Sequence, residues 1–241
     1  GIGFTKGKLS GVGSVSVIET NNQVTAQIGD WDADSQSGVI KTNDMSVQAQ
    51  NSADMFNLAG AVGVSTGTGG AGGLAVTLNL MGNETHSTTA RVANTNLEYS
   101  DDLTIKALSG SADNSNLLVN NAIGVGVSTG DSGLAFAGAV STSNVDQGVN
   151  AGLKNTGTNN GSTATSGANT TIEAYDHTDS VATAWNVAVS TGQSALGVAV
   201  ATNRVDSDVT AEVLGDDTTN GSTTLEVDDL KVLAARDNWL L

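Results

Sequence analysis

Residues 122–130 read Ala-Ile-Gly-Val-Gly-Val-Ser-Thr-Gly, so that Ile and Val alternate with Ala and Gly. Alternation with a period of two in a short run is typical of a β-strand. The last four residues recur, because Val-Ser-Thr-Gly stands at 64–67, 127–130 and 189–192. The three glycines are 63 and 62 residues apart, which predicts a repeat of about 62 residues.

Three further stretches follow this strand in each repeat, separated by turns rich in Gly, Asn and Asp. The second stretch stands at 11–18, 73–80, 133–140 and 196–202, the third at 24–28, 88–92, 149–153 and 209–213, and the fourth at 45–49, 103–107, 171–174 and 230–234. The predicted units are 1–54, 55–115, 116–179 and 180–238, and 239–241 begin the next. Because the chain starts and stops inside a repeat without capping units, we expect an internal segment of a longer protein.

The alternation divides each of the first two strands into two faces. One side carries Val or Leu and the other carries Ala or Gly, so we expect both sides to be covered and one of them closely. The larger residues are expected to lie in the core, in matching rows: Val62, Val64, Val125, Val127, Val187 and Val189.

These patterns predict an all-β, elongated repeat protein, most simply a parallel β-solenoid, because a single unit cannot bury its own faces. The alternative is an elongated antiparallel sandwich of β-hairpins. The turn at 192–196 is short enough to permit a hairpin, so the sequence leaves both arrangements open.

Composition limits the classes of function. The 241 residues include 25 acidic and 9 basic side chains, with a net charge of −16, 30 Gly, no Pro and no Cys. A nucleic-acid partner is not expected, because phosphate binding needs a basic face. No apolar run is long enough for a membrane span, and no signal peptide opens the chain.

The runs at 122–130 and 133–140 and closing stretches such as 103–107 resemble the repeats of giant bacterial exoproteins, among them filamentous-haemagglutinin-like adhesins and fusobacterial leukotoxin-like proteins. The resemblance covers nearly the whole chain and lies in its small-residue strands, Asn-rich turns and lack of Cys. It implies an elongated β-solenoid exported to the bacterial cell surface or the medium.

The titratable residues do not form a catalytic pattern. His86 and His177 stand at different points of their units, which indicates two solvated loop histidines. There is no Cys nucleophile, and the basic residues are scattered along the chain. The sequence therefore predicts a protein that is not an enzyme.

One acidic loop is a candidate metal site. Asp30, Asp32 and Asp34 alternate, and alternate carboxylates in a loop can converge on calcium. The loop departs from the EF-hand pattern, because its sixth position is Ser35 and its twelfth is Lys41. A solvated acidic turn is the alternative, and no other cofactor is expected.

Three functions remain open. The first is a structural stalk or fibre segment of an adhesin, whose partners are neighbouring repeats of the same protein or fibre. The second is a module that binds a host receptor or glycan directly, through Trp31 or the variable loop at 155–169. The third is a segment of a secreted toxin or of a polysaccharide-acting enzyme. Repetition without a distinctive cluster of residues favours the first, located outside the cell.

Overall fold

The computed structural model describes residues 1–32, 38–82, 86–111, 113–160, 169–215 and 223–241, with the backbone alone at 157–160 and 224. These residues form β-strands and no helix, which confirms the all-β prediction. Asp34 and most of the loop at 155–169 lie outside the described residues.

The strands recur in a fixed order along the chain. The first unit contains β1 (Ile2–Thr5), β2 (Leu9–Thr20), β3 (Gln23–Ile28), β4 (Val39–Thr42) and β5 (Met45–Asn51). The second contains β6 (Met55–Ser65), β7 (Gly70–Met81), β8 (Ser87–Ala93), β9 (Asn96–Tyr99) and β10 (Asp102–Ser109). The third contains β11 (Asn116–Ser128), β12 (Leu134–Lys154), β13 (Gly157–Asn160) and β14 (Asn169–Asp176). The fourth contains β15 (Thr178–Ser190), β16 (Ser194–Leu214), β17 (Thr224–Leu225) and β18 (Asp229–Arg236), and β19 (Trp239–Leu240) follows.

Equivalent strands of successive units lie side by side in four sheets. Sheet I has the order β1-β6-β11-β15-β19, and sheet II contains β2, β3, β7, β8, β12 and β16. Sheet III has the order β4-β9-β13-β17, and sheet IV has the order β5-β10-β14-β18. All pairings between these named strands are parallel.

Parallel pairing rules out the antiparallel hairpin alternative for these strands. The short turn after β15 does not join hydrogen-bonded neighbours. It joins a strand of sheet I to a strand of sheet II, so that β15 and β16 face each other across the protein interior. A short turn is compatible with either arrangement, because turn length does not specify whether the two strands share a sheet.

The register agrees with most of the repeat read from the sequence. Val62, Val125 and Val187 are neighbours in sheet I. The third and fourth stretches also align as predicted, for example where Leu103 lies beside Met45. The second stretch is the exception, because Gly73 pairs with Ala137 rather than with the predicted 133.

The interior of the wider part of the cross-section, which we call the wide lobe, contains large apolar side chains. It lies between sheets III and IV and the part of sheet II formed by β3, β8 and the second halves of β12 and β16. Its largest fully buried side chains are Val92, Leu97, Tyr99, Leu103, Ile105, Val149, Leu153 and Ile172. Burial of such side chains is the main apolar contribution to stability.

The narrower part, the thin lobe, has an interior of small side chains. Here sheet I packs against β2, β7 and the first halves of β12 and β16. One buried cluster between the two sheets consists of alanines: Ala59, Ala61, Ala75, Ala122 and Ala139. A second, smaller buried cluster between them contains Met55, Met81, Leu118 and Val145. Packed sheets are usually ~10 Å apart. Here the backbones nearly touch, because a Cβ on Gly63 would overlap the carbonyl oxygen of Gly72.

Buried amides connect the two sheets of the thin lobe. The Asn57 side chain of sheet I donates to the carbonyl oxygens of Ser16 (3.2 Å) and Leu78 (3.0 Å) in sheet II. The Asn79 amide donates in the opposite direction, to the carbonyl oxygen of Val119 at 3.3 Å. Asn120 likewise donates to a sheet II carbonyl. Since a buried amide without a partner is costly, these bonds fix how the sheets lie on each other.

The close approach of the two sheets can be tested with a pair of glycines. Gly124→Ala is expected to lower the free energy of unfolding by about 2 kcal/mol or more, because the new methyl group overlaps the backbone of Gly138. Gly60→Ala is the matched control, since a Cβ on this outward-facing residue meets no atom within 4 Å. The control is expected to be neutral or slightly stabilising. Urea denaturation measures both, and equal midpoints would contradict the close packing.

Candidate interaction surface

The acidic loop lies at the corner that follows β3. Asp30 and Asp32 are exposed, and the backbone N–H of Asp32 donates to Oδ1 of Asp30 at 3.0 Å. One carboxylate oxygen of Asp30 therefore already accepts a hydrogen bond within the turn. Asp34 lies outside the described residues, so convergence of the three carboxylates on calcium stays a prediction. Among the described residues, no group of three or more His, Asp or Glu side chains is arranged to hold a metal ion.

His86 is not the solvated loop histidine that the sequence indicated. Its side chain is buried at the junction of the two lobes. Nδ1 accepts a hydrogen bond from the backbone N–H of Asn22 at 3.0 Å, and Nε2 lies 2.8 Å from the side-chain amide of Asn51. The expectation was wrong because the equivalent positions of the other units are not His. A comparison of the units therefore gives no indication that this side chain is buried.

His177 is half-buried rather than solvated. Its Nδ1 lies 2.8 Å from the carbonyl oxygen of Ser111, and its Nε2 lies 3.8 Å from the carboxylate of Asp179. The two histidines lie in different units and have different hydrogen-bond partners. The structure therefore does not combine them into one site.

A buried polar network continues from the junction through the later units. The amide of Gln147 donates to the Asp176 carboxylate at 2.5 Å and to the Thr178 hydroxyl at 2.9 Å. The second oxygen of Asp176 accepts from the Asn238 amide at 2.9 Å, and the Ser109 hydroxyl donates to Gln147 at 3.0 Å. Because these side chains come from successive units, the network joins the units to each other.

Trp31 covers the backbone of another unit. A Cβ on Gly152 would lie 2.6 Å from Cη2 of this indole, and the Arg91 guanidinium lies 4.5 Å from the ring centroid. The ammonium group of Lys154 also contacts this residue, by donating to its carbonyl oxygen at 2.8 Å. The indole is thus half-buried, with the cations of Arg91 and Lys154 4.5 Å and 5.9 Å from its ring centroid, although its acidic loop suggested an exposed contact residue.

The valines of sheet I do not lie in the core. They form the predicted matching rows, but they face outward, while Ala and Gly face inward. Val187 is 52% exposed, and Val62 and Val125 are half-buried. The prediction of burial was wrong because the inner positions next to these valines are mostly Ala and Gly, and at Gly63 and Gly124 the opposing backbone leaves no room for a Cβ.

Face I is the name we give to the outer surface of sheet I. It consists of rows that run across the strands: Phe56–Val119–Val181, Leu58–Asn121–Thr183, Gly60–Ile123–Trp185, Ile2–Val62–Val125–Val187 and Phe4–Val64–Val127–Val189. Large side chains here are open to solvent, and Phe56, Leu58 and Trp185 are 66%, 66% and 64% exposed. Contiguous exposed apolar patches of several hundred Å² often mark interaction surfaces.

Face II, the outer surface of sheet II in the thin lobe, is also apolar. Its rows are Gly11–Gly72–Phe136–Leu196, Gly13–Leu74–Gly138–Val198, Val15–Val76–Val140–Val200 and Val17–Leu78–Thr142–Thr202. Charged side chains enter only in the following row, which contains Glu19 and Arg204. The thin lobe is therefore apolar on both of its outer faces.

The wide lobe has the opposite surface. Lys41 forms an ion pair with Glu98 at 2.5 Å, across neighbouring strands of sheet III. On sheet IV, the Glu173 carboxylate lies 3.4 Å from the ammonium group of Lys106 and 3.6 Å from that of Lys231. The charged and apolar parts of the surface are thus separated between the two lobes. The sequence contains a signal for the apolar outer faces, because Val, Ile and Leu alternate with Ala and Gly over much of these strands.

Comparison of the chain with protein-family models, curated proteins and solved structures found no match. No helix long and apolar enough to cross a membrane occurs in the described part of the chain. The functional argument therefore rests on the geometry of the strands and on the two surfaces.

Stability is expected to fall as the pH is lowered through the range in which His86 titrates. Burial lowers the pKa of His86, partly opposed by the charge of Asp176, and protonation would also break the bond from the N–H of Asn22. The unfolded chain takes up this proton near pH 6.5, while the folded chain resists it. The contribution of neutral His86 to stability is therefore fully present above about pH 6.5 and decreases below it, by at most about 1.4 kcal/mol per pH unit.

The measurement is urea unfolding from about pH 7.5 to about pH 5.5. His86→Asn keeps an acceptor near Nδ1 but cannot titrate, so this variant should lose the dependence. His177→Asn is the matched control, because it removes the other histidine. The same slope in the parent and in His86→Asn would show that His86 does not carry the effect.

Calcium is expected to act on the acidic chain mainly through screening. We therefore expect calcium to raise the melting temperature no more than sodium chloride does at matched ionic strength. The control variant has Asn in place of Asp30, Asp32 and Asp34. A saturable rise in the parent that this variant lacks would instead establish a specific calcium site.

Proposed function

We propose that this chain is a non-catalytic structural segment of a large bacterial surface or secreted adhesin, folded as a parallel β-solenoid. Its partners along the axis are neighbouring repeats of the same protein or fibre, and its location is outside the cell. The resemblance to giant exoprotein repeats points in the same direction. One structural observation carries the proposal, namely the in-register stacking of equivalent strands in all four sheets.

The stacking supports a structural role because neighbouring units depend on each other. Each strand of sheets I, II and IV in the second and third units has parallel partners on both sides. The buried amides and the network around Gln147 and Asp176 also cross between units. An array held together in this way is stable through its nearest-neighbour interfaces, as repeat proteins are.

The proportions of the unit define what kind of structural element it makes. Each additional unit lengthens the stack by only about 4.8 Å, the spacing between strands. The same unit is wide, because β11 has 13 residues and β12 has 21. A segment of this shape builds a broad body with large lateral surfaces, and many residues are needed for each increase in length.

Under tension, the chain is expected to unfold unit by unit. When the chain is pulled from its two ends in a single-molecule experiment, each step should release about 62 residues, or about 200 Å of chain. The physical reason is that a unit at the end of a stack has one interface to lose, whereas an internal unit has two. A stalk that bears load would show such steps.

A single event that releases the whole chain at once would contradict this description. Gly124→Ala provides a matched test, because it weakens the thin lobe within the third unit. In this variant the step that releases this unit should occur at lower force, while Gly60→Ala should leave the force pattern unchanged. A binding module, by contrast, is identified by retention on immobilised glycans or host-cell extracts.

A further inference from the structure

Face I is a large apolar surface on a strongly acidic chain. Its five rows contain no Asp, Glu, Lys or Arg, although the net charge of the chain is −16. A carboxylate enters sheet I only in the row beyond Phe56–Val119–Val181, where Asp179 lies between Leu117 and Trp239. Two copies of this chain repel each other over most of their surfaces, since like charges at short range are unfavourable. The thin lobe is the part where two copies can meet without bringing carboxylates together.

We propose that face I binds face I of a second copy of this chain. The inference stands apart from the structural role proposed above, because the contact involves the side of the units and not their stacking. In a contact with twofold symmetry the same patch lies on both sides of the interface. If one residue contacts a second residue of the other copy, the symmetry repeats that contact with the two copies exchanged. Sheets in contact through their side chains pack about 10 Å apart.

The area of face I is sufficient for a weak dimer. Strand spacings of about 4.8 Å and a rise of about 3.3 Å per residue give this face roughly 550 Å². Burial on two copies removes roughly 1,100 Å² from water, which is at the low end of specific interfaces. A dissociation constant in the micromolar range is the expected result, because association also costs translational and rotational freedom.

The side chains of face I suit contact with an identical sheet. Stiff, β-branched valines fill most of two of its five rows, and they lose little rotamer freedom when they are covered. The rows are spaced by the same strand distance in both copies, so ridges of one can enter the grooves of the other. Phe56 and Trp185 supply large aromatic side chains, the type that contributes most at protein interfaces.

Face II is less suited to the role. It has one aromatic residue, Phe136, whose ring lies close to Gly138 together with the Leu74 side chain. Neighbouring side chains thus fill the hollow left by this glycine. On face I, Trp185 and Phe56 stand at the two ends of different rows and remain available to a partner.

A lipid surface is the competing occupant, and one feature argues against it. Asn121 and Thr183 are neighbours in the middle of face I, where the Thr183 hydroxyl donates to the Asn121 side chain. The amide group of Asn121 would still be costly in hydrocarbon. Between two protein copies, the amide group of Asn121 can instead lie against Asn121 and Thr183 of the other copy.

The experiment is sedimentation velocity on the whole chain over about 1–100 μM, the range that this area implies. The parent is expected to change from monomer to dimer. Val125→Asp places a charge on the middle strand of face I and should leave a monomer at all these concentrations. Val140→Asp makes the same change on face II and should still dimerise. Both valines face outward, and urea unfolding checks that the variants are folded.

A second measurement does not depend on Val125→Asp. The contribution of Trp185 to the emission, obtained by subtracting a Trp185→Phe variant, should become less accessible to acrylamide as the parent concentration rises. A parent that stays monomeric throughout would overturn the proposal. A dimer lost in Val140→Asp but kept in Val125→Asp would assign the contact to face II and overturn it. Flotation of a monomeric parent with phosphatidylcholine vesicles would identify lipid as the occupant and also overturn it.

Discussion

The close approach of sheets I and II in the thin lobe is the constraint on which the rest of the structure depends. The backbones at Gly63 and Gly72, and at Gly124 and Gly138, come so near that no Cβ fits between them. Around these glycines the interior is lined mainly by Ala, Ser, Thr and Asn, while a separate buried cluster of Met55, Met81, Leu118 and Val145 lies elsewhere between the two sheets. In a strand the next residue faces the other way, so the larger apolar side chains necessarily point outward. The apolar outer faces are therefore a consequence of the thin interior.

A small-residue interior obtains its stability from sources other than large buried side chains. Burial of an alanine contributes little apolar area, since the free energy scales with the area removed from water. Closely packed backbones gain dispersion contacts instead, because many atoms lie at favourable separations. The Asn57 and Asn79 amides add hydrogen bonds between the sheets in both directions. The wide lobe, with Tyr99, Leu103 and Ile105, supplies the ordinary apolar core.

The sequence predicted the strands and most of the register, because both follow from periodicity. A period of two tells which residues share a face, and the spacing of Val-Ser-Thr-Gly tells which strands are neighbours. Neither tells which face is inside. The usual relation between size and burial places Val125 in the core, whereas the informative residues are Gly124 and Gly126, whose lack of a side chain permits another backbone to approach. His86 was missed because its partners, Asn22 and Asn51, belong to a different unit. Contacts between units at such distances in sequence leave no local pattern.

Solubility and lateral association need opposite kinds of surface, and the two lobes provide them separately. A repetitive, edge-rich β protein stays soluble when its surface is charged and hydrated, and the wide lobe carries the ion pairs of Glu98 and Glu173. Lateral association needs an uncharged apolar surface, and the thin lobe carries that surface in rows set by the strand spacing. Because each added unit extends both surfaces by the same about 4.8 Å, the apolar area and the charge increase together along the stack. Lateral affinity would then rise with the number of units, while the charged side remained hydrated. A broad unit of about 62 residues thus adds little length to the stack but adds apolar area for lateral contact.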